Sequence, residues 1–147
     1  MIGEAEKCLL YSKKEVDIIM LVKQLSVFLE NRPGTLDEAL RILKEANIDI
    51  KALSLADTSE FGVMRIIADK PDEAKQAMKG AGYTSIVNEV ISVELKPEVG
   101  YLAGIVKKIS DAGVNIEYMY AAPSGGSGAV MLMKTDDPEK AQSALGE

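Results

Sequence analysis

The chain has 147 residues, of which 47% are hydrophobic and 27% charged, an ordinary balance for a folded globular protein. A net charge of −6 with no basic cluster excludes nonspecific phosphate binding, and the absence of histidine excludes imidazole acid–base chemistry and imidazole metal ligation. A single cysteine, Cys8, excludes an internal disulfide and any multi-thiolate metal site.

Residues 1–19 stand outside the regular pattern as an N-terminal extension. Lys7, Lys13, Lys14, Glu15 and Asp17 interrupt its apolar runs, so it reads neither as a signal peptide nor as a membrane span. A cytoplasmic protein is expected. From there Leu25, Val27 and Leu29 alternate, which predicts a half-buried strand over 23–29. Asn31-Arg32-Pro33-Gly34 is a turn, with proline fixing one dihedral and glycine free to take positive φ. Leu36, Ala39, Leu40 and Leu43 recur at helical spacing and predict a helix over 35–46. Strands over 48–55 and 62–68 follow, joined by a polar turn at 57–60. Pro71 opens a second helix with Asp72 and Glu73 in its first turn, and Gly80 and Gly82 end it. Residues 85–88 form a short fourth strand.

The pattern then repeats. Residues 25–56, LSVFLENRPGTLDEALRILKEANIDIKALSLA, return without a gap at 91–122 as ISVELKPEVGYLAGIVKKISDAGVNIEYMYAA. Gly34 falls on Gly100, Leu36 on Leu102, Ala46 on Ala112, Ile50 on Ile116, and Gly62 on Gly128. A period this long marks a duplicated supersecondary unit. The second copy reads strand 89–95, helix 101–112, strand 114–121, a glycine-rich turn at 124–128, strand 129–135 and helix 138–145. Each copy has the order β-α-β-β-α-β, which predicts an α+β, ferredoxin-like sandwich. The units are placed at 20–88 and 89–147, and the second lacks its fourth strand. An unpaired edge at 90–95 exposes backbone groups, so either the segment near Cys8 to Tyr11 or a partner chain is expected to cover it.

Glu30-Asn31-Arg32-Pro33-Gly34-Thr35-Leu36, between an alternating strand and a helix followed by Ala46-Asn47-Ile48-Asp49-Ile50, resembles the ACT domain. This is a small ligand-binding module of amino-acid metabolism. The tetrapeptide is especially similar to the serine-binding ACT domain of D-3-phosphoglycerate dehydrogenases, and the arrangement resembles stand-alone proteins made of two ACT units. The resemblance covers about residues 22–145. It implies two units side by side in one continuous, mainly antiparallel sheet with helices on one face. It also implies adjacent second strands, with ligand at that junction between the turn of one unit and the second strand of the other.

Carried over residue by residue, the resemblance gives one pocket from Asn31, Arg32, Pro33, Gly34, Thr35 and Leu36 with Asn115 and Ile116. A weaker or differently selective one comes from Val99, Gly100, Tyr101 and Leu102 with Asp49 and Ile50. The chemistry of the turn points the same way. A helix starting at Thr35 leaves backbone N–H groups without helical partners at the positive end of its dipole, which suits a carboxylate. Asn31 offers both an acceptor and donors for an ammonium or a polar side chain. The implied function is a non-catalytic, allosteric, amino-acid-binding regulatory protein, a homodimer or the associate of a metabolic enzyme. It carries no cofactor or metal and has no nucleic-acid or membrane partner. The alternative is an interaction module that docks onto an enzyme without binding a metabolite. Tyr118 and Tyr120 either line the junction or pack within the sheet. Arg65 replaces an apolar residue, Met131 in the second copy. The stretch from Ser124 to Gly128 is a plain hairpin loop, and Asp136, Asp137 and Glu139 belong to a helix cap.

Overall fold

The computed structural model describes residues 19–57, 61–124 and 128–146. The elements are β1 (Ile19–Glu30), α1 (Thr35–Glu45), β2 (Ile50–Asp57), β3 (Phe61–Ala68), α2 (Pro71–Gly80) and β4 (Ser85–Leu95). They continue with α3 (Tyr101–Asp111), β5 (Ile116–Pro123), β6 (Ala129–Thr135) and α4 (Pro138–Leu145). Two compact units result: Val22–Val90, and residues 91–146 together with 19–21.

In the Val22–Val90 unit the strand order is β2-β3-β1-β4, with β3 antiparallel to both β1 and β2. Leu25, Val27 and Leu29 of β1 pack with Met64 and Ile66 of β3 against Ala39 and Leu43 of α1 and Ala74 and Met78 of α2. Among these, Leu25, Val27 and Leu29 are the residues the period-2 pattern singles out, and Ala39 and Leu43 those of the helical pattern. Full burial of each large one, such as Leu43, is worth about 1.5–3 kcal/mol. In the other unit the order is β1-β4-β6-β5, and β6 is antiparallel to β4 and β5. Ile91, Val93, Met131 and Met133 meet Ile105 and Ile109 of α3 and Ala141 and Leu145 of α4.

The first three helices end alike. Ile48 N–H donates to Leu43 O at 3.0 Å, Tyr83 to Met78 O at 2.9 Å and Val114 to Ile109 O at 3.2 Å. The residue before each donor is left-handed: Asn47 at φ 61°, Gly82 at 92° and Gly113 at 79°. Asparagine tolerates this conformation better than other non-glycine residues, which is why the first copy needs no glycine there.

The sequence reading changes in three places. The strand expected at 23–29 begins at Ile19, and the segments expected at 85–88 and 89–95 form one strand, β4. The hairpin register makes Ala129 the counterpart of Gly62, because Leu29 pairs with Gly62 and Leu95 with Ala129. Gly128 is therefore not the echo of Gly62; a Cβ on it would lie 2.9 Å from Leu95 O, which is reason enough for glycine. By the same register Arg65 corresponds to Leu132, and Met131 answers to Met64.

The open edge is also resolved. No strand follows α4 among the described residues, and β4 has β1 as its neighbour opposite β6. Ile19 and Leu21 pack onto the second core, in the role of its fourth strand. The segment from Cys8 to Tyr11, expected to cover this edge, lies outside the described residues. Leu21→Ala should cost about 1–2 kcal/mol in urea denaturation, less than the roughly 2–5 kcal/mol of a fully buried leucine because Leu21 is half-buried. Amides of 91–95 should exchange slowly; fast exchange there would contradict the strand.

Candidate functional site

The turn after β1 is built from three backbone bonds. Arg32 N–H donates to Glu30 O at 2.9 Å and Thr35 N–H to Arg32 O at 3.4 Å, while Glu38 N–H closes the first helical turn on Gly34 O at 3.0 Å. Thr35 Oγ1 also donates to Arg32 O at 3.1 Å, and Thr35 is buried. Gly34 sits at φ 90° as the N-cap of α1, and no side chain caps the helix. Between the Thr35 and Glu38 N–H groups, which are already used, those of Leu36 and Asp37 thus keep their capacity to bind an acceptor. The second copy builds the same turn: Glu98 N–H to Lys96 O at 2.8 Å, Tyr101 N–H to Glu98 O at 3.2 Å, and Gly100 at φ 84°, again without a side-chain cap.

Of the expected first-pocket residues, Asn31, Arg32, Thr35 and Leu36 line one hollow of about 80 Å³, closed by Leu29, Glu30, Leu55 of β2 and Gly62 of β3. Pro33 and Gly34 are exposed and shape the turn without lining it. Asn115 and Ile116 belong to the other unit, at the start of β5. Asn115 is exposed and its backbone is fixed to the end of β6: its N–H donates to Asp136 Oδ1 at 3.0 Å, and Asp136 N–H donates to Asn115 O at 3.2 Å. Asp49 is held alike, through Asp69 Oδ1 at 2.9 Å and Asp69 N–H to Asp49 O at 3.0 Å. The Asp49 carboxylate pairs with Lys51 Nζ at 3.3 Å. Ile50 follows it as the first residue of β2. Val99, Gly100 and Tyr101 line a hollow of about 260 Å³ with Glu98, Gly104, Ile105 and Lys108, whereas Leu102 packs on the second core. Lys96 Nζ stands 5.8 Å over the Tyr101 ring, and Tyr101 Oη is buried without a hydrogen-bond partner among the described residues.

The resemblance places the two second strands side by side. In this structure β2 has β3 as its hydrogen-bonded neighbour and β5 has β6, and each ends its own unit's strand order. Leu53 and Leu55 of β2 and Met119 of β5 are exposed.

Sequence reasoning missed a second hollow. Phe28, Glu30, Arg32, Thr35, Glu38, Phe61 and the 81–84 segment line an open hollow of about 350 Å³. Arg32 Nε donates to Glu30 Oε1 at 2.6 Å, and Tyr83 Oη donates to Glu38 Oε1 at 2.9 Å. The hydrogen bond to Glu30 holds the Arg32 guanidinium above its ordinary range. Burial, then the hydrogen bond to Glu38, raises the Tyr83 phenol above its ordinary 10.0. The available signal was charge: Phe28, Glu30, Arg32 and Glu38 become Glu94, Lys96, Glu98 and Gly104 in the second copy.

These features define a class, the duplicated ferredoxin-like βαββαβ protein with a glycine turn opening the first helix of each copy. The chain belongs to the ACT domain pair family, whose model matches residues 20–146. Among solved structures it is similar to protein BT0572 from Bacteroides thetaiotaomicron, at 33% identity and a TM-score of 0.80, covering 86% of this chain and 88% of that one. It shares its fold with the regulatory subunits of aspartate kinase from Thermus thermophilus in a ligand-free form (TM-score 0.65) and from Thermus flavus (0.61). Each of these is 16% identical and covers 88% of this chain and 94% of that one. No curated protein gives a significant match. No helix among the described residues is long and apolar enough to cross a membrane.

Two substitutions probe the turn. Gly34→Ala should destabilise by about 1–2 kcal/mol in urea denaturation, from backbone strain alone, since nothing lies within 4 Å of the added Cβ. Tyr83 tests the second hollow by pH. Its folded pKa is raised, so its contribution is complete below the ordinary value of 10.0 and is lost as pH rises through the folded pKa. Tyr83→Phe should therefore lose less stability than the parent chain as pH rises above about 10.

Proposed function

We propose that the chain is a non-catalytic regulatory protein of the cytoplasm that binds a small amino acid where β2 of one molecule meets β5 of a second molecule of this chain. The observation that carries this reading is the turn at Gly34. A left-handed glycine opens α1 with no side-chain cap, beside a hollow that already contains Asn31, Thr35 and Leu36. At about 80 Å³ that hollow is too small to enclose an amino acid, so it needs a second wall. Leu55 stands in its rim on a terminal, exposed strand that can accept a neighbour. In the proposed complex the carboxylate lies on the N–H groups of α1, and Asn31 with Asn115 and Ile116 of the second molecule closes over the ligand. Val99 to Leu102 with Asp49 and Ile50 form the weaker counterpart, where an aspartate already paired to Lys51 replaces the asparagine. Ligand then acts by favouring the assembled state through its differential affinity for it.

The docking alternative loses the feature that favoured it, because residues 19–21 occupy the edge beside β4. A thermal-shift screen over the twenty amino acids tests the proposal. One of them at 100 times its dissociation constant should stabilise by about 2.7 kcal/mol. Asn31→Ala or Asn115→Ala should remove that shift, and light scattering should show a dimer or larger assembly. A chain that shifts with no amino acid, or that binds as a monomer, sinks this reading.

A further inference from the structure

Among the described residues the second hollow has the chemistry of a site and no structural task that requires it. Arg32 spends one guanidinium N–H on Glu30, and its terminal nitrogens have no hydrogen-bond partner among the described residues. Glu38 accepts from the neutral Tyr83 hydroxyl and forms no ion pair among the described residues, so its negative charge remains available to a cation. Phe28 and Phe61 are 38% and 51% exposed at the wall, apolar surface that folding leaves in water. An anion acceptor, a cation acceptor and apolar walls thus converge on one space of about 350 Å³, within the range of small-molecule sites.

We infer that this hollow is a second ligand site, which takes a zwitterionic α-amino acid with an aromatic or large aliphatic side chain. The carboxylate meets the terminal nitrogens of Arg32, the ammonium meets Glu38, and the side chain lies against Phe28 and Phe61. Aromatic and charge-assisted contacts of this kind supply both affinity and orientation. The site rests on the reading that this chain binds amino acids, but it differs in position: it needs no second copy and no residue of β5. The duplication supports it. The core positions of the two copies match, while the charged anchors change from Glu30, Arg32 and Glu38 to Lys96, Glu98 and Gly104. A turn that only had to hold the fold would not need them, because the second copy forms the same turn without them.

Isothermal titration of the full chain separates the two sites. L-phenylalanine should bind, and phenethylamine (no carboxylate) and 3-phenylpropionate (no ammonium) should each bind at least about tenfold more weakly. Glu38→Gln and Phe61→Ala should each weaken L-phenylalanine by a similar factor. Asn115→Ala, in the other unit, should leave it unchanged. Both altered side chains are exposed, and an unchanged melting profile without ligand confirms that the variants fold; Tyr83→Phe supplies a milder second probe of Glu38. Binding that survives Glu38→Gln and Phe61→Ala, or that is lost in Asn115→Ala, overturns the inference, as does no binding of L-phenylalanine or L-leucine. If small amino acids fail to bind but L-phenylalanine binds through Glu38, the junction reading falls and this one stands.

Discussion

The structure depends on one requirement of sheets: the strand that opens each repeat must have hydrogen-bonding neighbours on both sides. β1 lies between β3 and β4, and β4 lies between β1 and β6. Each of these strands is long enough to serve two units. The first part of β4 completes the Val22–Val90 unit, where Phe28 N–H donates to Thr84 O at 3.0 Å and Gln24 Nε2 donates to Asn88 Oδ1 at 3.4 Å. The first residues of β1 do the same for the other unit through Ile19 and Leu21. A missing strand in the linear sequence is therefore not a missing strand in the sheet. What remains terminal is β2 in one unit and β5 in the other, and these are the edges that the family resemblance ties to ligand.

How much of this was legible in the sequence depends on how local the cause is. Alternation gave β1 and helical spacing gave α1, because burial on one face acts through neighbours in sequence, and the repeat then gave α4. Pro138 and Leu145 bound α4 as expected. The β-hairpin of the second copy was misaligned because glycine was matched to glycine. Gly128 owes its identity to the Leu95 carbonyl, a contact between strands that no local pattern reports. Residues 19–21 were assigned to a tail or to the first copy for the same reason, since the core they pack on begins at Ile91, 70 positions beyond Leu21 in sequence. At the site, the turn was legible because proline and a left-handed glycine write their conformation into the sequence. The second hollow was not, because Tyr83 and Phe61 reach it from a helix end and a hairpin far along the chain.

The two copies also serve as an internal substitution experiment on the same fold. Leu25 and Leu43 become Ile91 and Ile109, changes that conserve volume and cost a core little, and Val27 returns unchanged as Val93. Asn47 becomes Gly113, which satisfies the same left-handed helix end. Stability explains these positions. It does not explain the cluster at the second hollow. Exposed ion pairs such as Arg32 with Glu30, whose side chains are 59% and 63% accessible, are generally worth about 0–1 kcal/mol.

Exposed phenylalanines at the end of a sheet add little burial and carry a risk of nonspecific association. Glu38 does favour the positive end of α1, but Asp37 supplies the same charge one residue earlier. Nothing in the helix requires both. Nor does the turn: Gly104 stands in for Glu38 and Glu98 for Arg32, and the backbone bonds of the second turn are formed all the same. The fold therefore tolerates reversed charge at the positions of Glu30 and Arg32 and a lost carboxylate at that of Glu38, so the turn itself does not dictate the charges found at that hollow.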